Sequence, residues 1–211
     1  PLADGTGVHD GWIRGDAAPI AGRCGAALGM AAIGDYAGIP DSPAFDLDAG
    51  AVSLYARIDA LGVRHGLLSR DANGTDTPGH MSLGTTLAGH VWVRMQLPGD
   101  QYFFRCSDAP VTPGQWFHIG VSFGPPGMSL WIDRQPQRAL AELDVWDDGS
   151  LNSCVTPHTG GIAGNANVWV IGALIYTAID GSPDPVPVEY LAGGAVDHVR
   201  ITDAWTDFAA P

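Results

Sequence analysis

Alternation of apolar and polar residues, in short runs bounded by Gly, Pro, Asn and Asp, limits the folds open to this chain more than any other feature. Within residues 90–97, Val91, Val93, Met95 and Leu97 share one side, while His90, Trp92, Arg94 and Gln96 share the other. Successive side chains of a strand point to opposite faces, so this run predicts a half-buried strand. Residues 117–123 repeat the pattern with Phe117, Ile119, Val121 and Phe123 on one side. Gly124-Pro125-Pro126-Gly127 then turns the chain into residues 128–133, the signature of a hairpin with a four-residue loop. Further strands are expected over residues 51–58, 66–69, 81–87, 102–106, 167–172 and 194–201. Helical periodicity is scarce: residues 203–208 could make one turn. Many short antiparallel strands predict an all-β fold, a two-sheet antiparallel β-sandwich or jelly roll. Its core would hold Ile119, Val121, Phe123, Leu130 and Ile132.

The chain can bury such a core, with 45% hydrophobic and only 16% charged residues. Its 29 glycines and 16 prolines are spread without a fixed period, which suits frequent turns. No interdomain linker shows, residues 182–187 read as a rigid loop within the fold, and residues 1–211 are expected to form a single domain. Ten arginines against 23 acidic residues give a net charge of −13, the wrong sign for nucleic acid or for an anionic membrane surface. No stretch reaches the roughly 20 apolar residues of a membrane helix, so membrane insertion is not expected. Three cysteines permit one disulfide. Cys24, among small residues, is expected to be buried, and Cys106 with Cys154, near turns, make the better pair in an oxidising compartment.

Several segments, in order, resemble the laminin-G-like / concanavalin A-like lectin-glucanase jelly-roll family. Gly25-Ala26-Ala27-Leu28 with residues 34–40, and residues 42–47 with 51–57, resemble its early strands, Tyr55 standing where tryptophan is usual. Residues 114–121 resemble its tryptophan-histidine strand. Leu130-Trp131-Ile132-Asp133 precedes a turn in which Arg134 replaces the usual glycine, and residues 193–201 resemble the closing strand. The match covers about residues 22–208 and implies the concanavalin A-like sandwich; it carries architecture better than activity, since this fold hosts lectins, adhesion domains, glycosidases and lyases.

Enzymatic chemistry has two candidate settings. Residues 142–148 resemble the acidic strand of jelly-roll glucanases, in which Glu142 and Asp144 would share a face, but the family's second glutamate is here Asp147 or Asp148. A lyase would need a base beside an arginine that neutralises a uronate, a role open to His90, Arg94 and Tyr102. Seven histidines without HExxH spacing argue against zinc. Calcium is the expected ion: Asp71, Asn73 and Asp76 alternate around Gly74, and the family resemblance implies Asp35 and Asp197 as a second site.

For ligands the outward face matters more than any motif. Trp92 and Trp131 both fall on the side away from the core, Trp92 beside His90 and Arg94. An exposed aromatic ring next to hydrogen-bonding groups is sugar-binding chemistry, because the CH face of a pyranose stacks on the ring. The expectation is therefore a non-catalytic, lectin-like recognition or adhesion module, extracellular or on the cell surface, binding a glycan or polysaccharide at Trp92, Arg94, His90 and Trp131. Calcium is expected to hold its loops, and other domains of a larger protein are its expected partners. The alternatives are a polysaccharide-cleaving enzyme on the same fold and a structural subunit that binds protein. The acidic net charge favours a neutral glycan.

Overall fold

The structure, a computed structural model, describes residues 2–71, 79–97, 101–177 and 186–209. Two seven-stranded antiparallel sheets dominate it. The first runs in the order β1 (Trp12–Arg14), β4 (Tyr36–Ile39), β15 (Trp169–Ile171), β6 (His65–Arg70), β7 (His80–Thr85), β8 (Val91–Leu97) and β9 (Gln101–Cys106). The second runs β12 (Gln135–Pro136), β11 (Ser129–Ile132), β10 (Phe117–Phe123), β5 (Gly50–Ile58), β18 (Gly194–Thr202), β3 (Ala26–Met30) and β2 (Ala18–Ala21). Two small ribbons complete the set: β13 (Glu142–Leu143) with β14 (Asn152–Ser153), and β16 (Ala173–Thr177) with β17 (Val186–Tyr190). Among the described residues the one helical element is a 3-10 turn, Pro43–Phe45. No helix there is long and apolar enough to cross a membrane.

Period two explains the sandwich. Val91, Val93 and Met95 of β8 share one apolar core with Val52, Leu54, Ala56 and Ile58 of β5 and with Phe117, Ile119, Val121 and Phe123 of β10. Leu130 joins this core and Ile132 packs on it partly buried, so the expected inward set is the observed one. Full burial of each such side chain contributes about 1.5–3 kcal/mol, and a register slip of one residue would forfeit a whole strand's share. In β18 the pattern is deliberately broken. Asp197 pairs with Tyr55 and Arg200 with Ser53, so β18 carries one extra residue, a β-bulge, and His198 takes a left-handed φ of 53°. The bulge lets Val199 and Ile201 face the core although Val196 does so too.

Several connections differ from expectation. Residues 203–209 form no helix; they cross the outer side of the second sheet, with Phe208 lying over Gly120, where a Cβ would come within 2.5 Å of the ring. Most of the expected rigid loop at residues 182–187 lies outside the described residues. Cys106 and Cys154 form the disulfide, whereas Cys24 is free and exposed. Its burial was expected from its small neighbours, but the Gly22–Gly25 turn that links β2 to β3 carries it to the surface.

A buried cation joins the loops at one end of the sandwich. Arg70, fully buried, donates from Nη1 to the carbonyls of Phe45 (2.6 Å) and Ile162 (3.0 Å), and from Nε to that of Asn167 (3.4 Å). Its Nη2 donates to Asp41 Oδ1 (2.7 Å) and to the Asn165 carbonyl. A guanidinium suits this place because its planar fork offers five donors in fixed directions. His158 is also buried, beside the Phe103 ring at 4.8 Å. Burial, with the charge of Arg105 acting the same way, holds its imidazole below the ordinary value of 6.5.

Two outcomes are expected. Arg70→Ala should lower unfolding free energy in a urea titration by about 3–5 kcal/mol, since it strands several carbonyls at about 1–3 kcal/mol each while Asp41, being exposed, adds little, and Arg70→Lys should rescue little because three donors cannot replace five. Histidines with depressed values in the fold stabilise it fully above 6.5 and lose that contribution as pH falls. The melting temperature should therefore drop on acidification from neutral pH, and His158→Phe should flatten the drop; an unchanged slope would remove His158 as a source.

Candidate functional site

The outer face of the first sheet carries the residues that the sequence pointed to. On neighbouring strands Trp92 lies between Gly84 and Cys106, Arg94 between Ser82 and Phe104, and Gln96 between His80 and Tyr102. This face is covered. The segment between β12 and β14 folds over it, pinned by the Cys106–Cys154 disulfide, and sets Trp146 at 5.3 Å from Trp92 and 6.1 Å from Phe104. Arg64 holds Trp146 in turn, donating to its carbonyl at 2.8 Å with the guanidinium 5.0 Å from its ring. Trp92 is left with 0% exposure and offers no surface on which a sugar could stack.

Arg94 is likewise engaged. Its Nη2 lies 2.8 Å from Asp71 Oδ2, which also accepts from Ser82 Oγ (2.9 Å), while His80 Nδ1 lies 2.6 Å from Asp71 Oδ1. Tyr102 is half-exposed, its ring 5.6 Å from the Arg94 guanidinium. Of the three residues with lyase-type chemistry, Arg94 and Tyr102 therefore come together, but His90 does not join them: its Nδ1 lies 3.0 Å from the Ser107 carbonyl. The histidine of this cluster is His80, whose Nε2 is buried without a hydrogen-bond partner. The alternation signal passed over it because it falls at the start of a strand, after a turn-rich stretch.

The acidic segment does not form a glycosidase pair. Its strand is two residues long, so Glu142 and Asp144 do not share a strand face; Glu142 is exposed, and Asp144 accepts the N–H groups of Asp148 (3.1 Å) and Gly149 (2.7 Å) to close a turn.

Three of the residues expected to hold calcium, Asp35, Asp71 and Asp197, have other partners. Burial acts to raise the pKa of Asp35, but N–H groups of Asp16, Ala32 and Ala31 outweigh it and hold the carboxyl below 3.8. A carboxylate ringed by N–H donors is a poor cation ligand. Asp197 Oδ2 accepts the Cys24 N–H at 2.7 Å, and Asp71 pairs with Arg94 and lies beside His80. Asn73 and Asp76 lie outside the described residues. Among the described residues, no three His, Cys, Asp or Glu side chains group as a metal site would need.

The outer face of the second sheet is different: it holds an open groove of about 710 Å³. β5 supplies Ser53 and Tyr55, β10 supplies His118, and the bulge lets β18 turn Arg200 outward three residues after Asp197. Arg23 and Cys24 enter from the β2–β3 turn, Asp133 and Arg134 from the β11–β12 turn, and Phe208 from the C-terminal segment. Trp116, half-buried, forms one end, with the Arg57 guanidinium 5.5 Å from its ring. Tyr55, His118 and Phe208 form a row, with ring centroids 5.0 Å and 5.7 Å apart. Burial pushes the His118 imidazole below 6.5, opposed by Asp133 and assisted by Arg134 and His198. Trp131 is on this same face but shielded by Trp205 (5.8 Å) and Phe208 (5.4 Å), with 2% exposure. A second hollow of about 850 Å³ under the N-terminal segment shares Cys24, His198 and Arg200 with the groove.

Sequence reasoning assigned both tryptophans to outward faces, and there they are, but under cover. It did not single out Trp116, Tyr55 or Arg200 as site residues. The available signals were the outward phase of Tyr55 and His118 and the arginine in place of a turn glycine.

No protein-family model matches this chain, and no curated protein does. Solved structures do resemble it. Domain 4 of AbnA, a GH43 extracellular arabinanase from Geobacillus stearothermophilus in complex with arabinotriose, is 17% identical with a TM-score of 0.66, over 99% of this chain and 91% of that one. The botulinum neurotoxin serotype D binding domain is 10% identical with a TM-score of 0.62, over 99% of this chain and 47% of that one. The CBM40 of Ruminococcus gnavus IT-sialidase, bound to α2,3 sialyllactose, is 15% identical with a TM-score of 0.52, over 76% of this chain and 78% of that one. At these identities the likeness is one of fold, and it places the chain among the two-sheet antiparallel β-sandwich domains.

Proposed function

We propose that this chain is a non-catalytic glycan-binding module of a secreted or cell-surface protein, and that its ligand lies in the groove on the outer face of the second sheet. The observation that carries this reading is the groove's composition: the partly exposed rings of Trp116 and Tyr55 line it together with Ser53, Thr206 and Arg200. Pyranose rings bind where CH faces stack on an aromatic ring and hydroxyls find polar partners within reach. The continuity with the neighbouring hollow suits a chain of sugars. Two similar folds were solved with oligosaccharides, arabinotriose and sialyllactose, which supports the class of ligand. The disulfide supports an oxidising compartment.

A second reading has one observation in its favour. His80 oriented by Asp71, beside Arg94 and Tyr102, holds the groups that β-elimination of a uronate polymer needs. It ranks second because His80 is buried and the charge of Arg94 is already balanced by Asp71. New ultraviolet absorbance from an unsaturated product would be its readout.

On a glycan array, the domain should retain at least one oligosaccharide without turning it over. Trp116→Ala should weaken that binding about tenfold or more, the loss of one stacked ring being about 1–2 kcal/mol. Trp92→Phe, under its cover on the other sheet, should leave affinity unchanged. Full retention in both Trp116→Ala and Tyr55→Ala would remove the groove from consideration. Binding should also survive a chelator; its loss there would redirect attention to calcium at residues 71–76.

A further inference from the structure

We propose that the groove selects glycans bearing carboxylates, read by Arg23, Arg134 and Arg200. This rests on the glycan-binding reading of the groove and reverses the expectation of a neutral ligand drawn from the net charge of −13.

The first support is an imbalance of partners. The chain has ten basic residues against 23 acidic ones, so an arginine that finds no carboxylate is unexpected. Arg57, Arg64, Arg70 and Arg94 are in ion pairs, and Arg105 donates to backbone carbonyls. Four arginines, Arg23, Arg134, Arg138 and Arg200, are exposed, and among the described residues their guanidiniums have neither an ion pair nor a hydrogen bond; three of the four, Arg23, Arg134 and Arg200, line this one groove. The nearby carboxylates are occupied instead by backbone: Asp133 accepts the His118 N–H, Asp197 that of Cys24 and Asp207 that of Ala209. Three forked donors thus line the groove without a partner among the described residues, and the geometry of a guanidinium fork matches the two oxygens of a carboxylate.

The second support is independent and lies in the backbone. Asp133 and Arg134 are the two central residues of the hairpin turn between Ile132 and Gln135, and both have positive φ, 49° and 66°. Such a turn favours glycine at its second central position, where a side chain is strained. Four described residues other than glycine have positive φ, and three of them, Asp133, Arg134 and His198, line the groove. Strained positions persist where the surrounding structure enforces them, and they cluster at functional sites. At Arg134 the fold would be better served by glycine, and the groove gains a cation from its absence.

The two supports meet in one variant. Arg134→Gly relieves the turn and removes one guanidinium, so stability and binding should move in opposite directions. The probes are a hexameric oligouronate, the same oligomer with its carboxyls reduced to neutral sugars, and a sulfated oligosaccharide of similar length. The intact domain should bind the oligouronate at least tenfold more tightly than its reduced form, with affinity falling as sodium chloride rises. Arg134→Gly should weaken that binding severalfold while the melting temperature stays level or rises. Arg23→Ala and Arg200→Ala should weaken it too, whereas Arg138→Ala, outside the groove, should not. Equal binding of the reduced oligomer, with sensitivity to Trp116→Ala, would overturn carboxylate selection and keep the groove as a neutral-glycan site. Preference for the sulfated probe, or unchanged affinity in Arg134→Gly, would overturn it as well. Binding of none of the three would overturn carboxylate selection, while an empty glycan array would remove the glycan reading itself.

Discussion

A β-strand has two faces, and in a sandwich the core takes one of them from every strand. Everything else that the domain does must be done with the other face or with the loops. Here the inward faces of β5, β8 and β10 are uniformly apolar, which fixes register and leaves no polar chemistry inside the core proper. The two outward faces then diverge. One is sealed by a covalently anchored segment whose own tryptophan completes a second apolar cluster with Trp92, Phe104, Val145 and Leu174. Among the described residues the other is crossed by Trp205 and Phe208 over Trp131 and holds the open groove beside them.

What makes the open face more than a flat surface is local irregularity. An ideal strand would have given β18 an outward residue at every second position, and Arg200 would have pointed to the core if Asp197 pointed out. One additional residue restores both. The turn at Asp133 and Arg134 works similarly at another edge of the groove, where an energetically awkward backbone adds a long side chain to the lining. A domain with a strongly acidic surface can thus hold a local patch of cations, because potentials close to a surface follow nearby charges and distant ones are screened within roughly 10 Å at ordinary ionic strength.

The architecture was legible because alternation is a property of single strands and needs no knowledge of partners. Residues 51–58, 102–106 and 194–201 were read within a residue of their observed bounds at most positions, and the Cys106–Cys154 pair followed from turn chemistry. The site was legible in phase but not in exposure. Alternation places Trp92 outward; it says nothing of a segment fifty residues later that folds over it. The same limit explains His80, which became part of the Arg94 cluster through strand pairing, and Glu142, whose strand ended after two residues once Asp144 was used to close a turn. Cys24 was misjudged because small neighbours mark tight turns as readily as they mark cores.

Arg70 bears on how sequences with this fold can drift. Most of its partners are main-chain carbonyls, of Phe45, Ile162, Asn165 and Asn167, and a carbonyl is supplied by any amino acid. The loops that it ties together are thereby released from keeping particular side chains at those contacts. They need only preserve their path, while a single codon carries the identity on which their attachment depends.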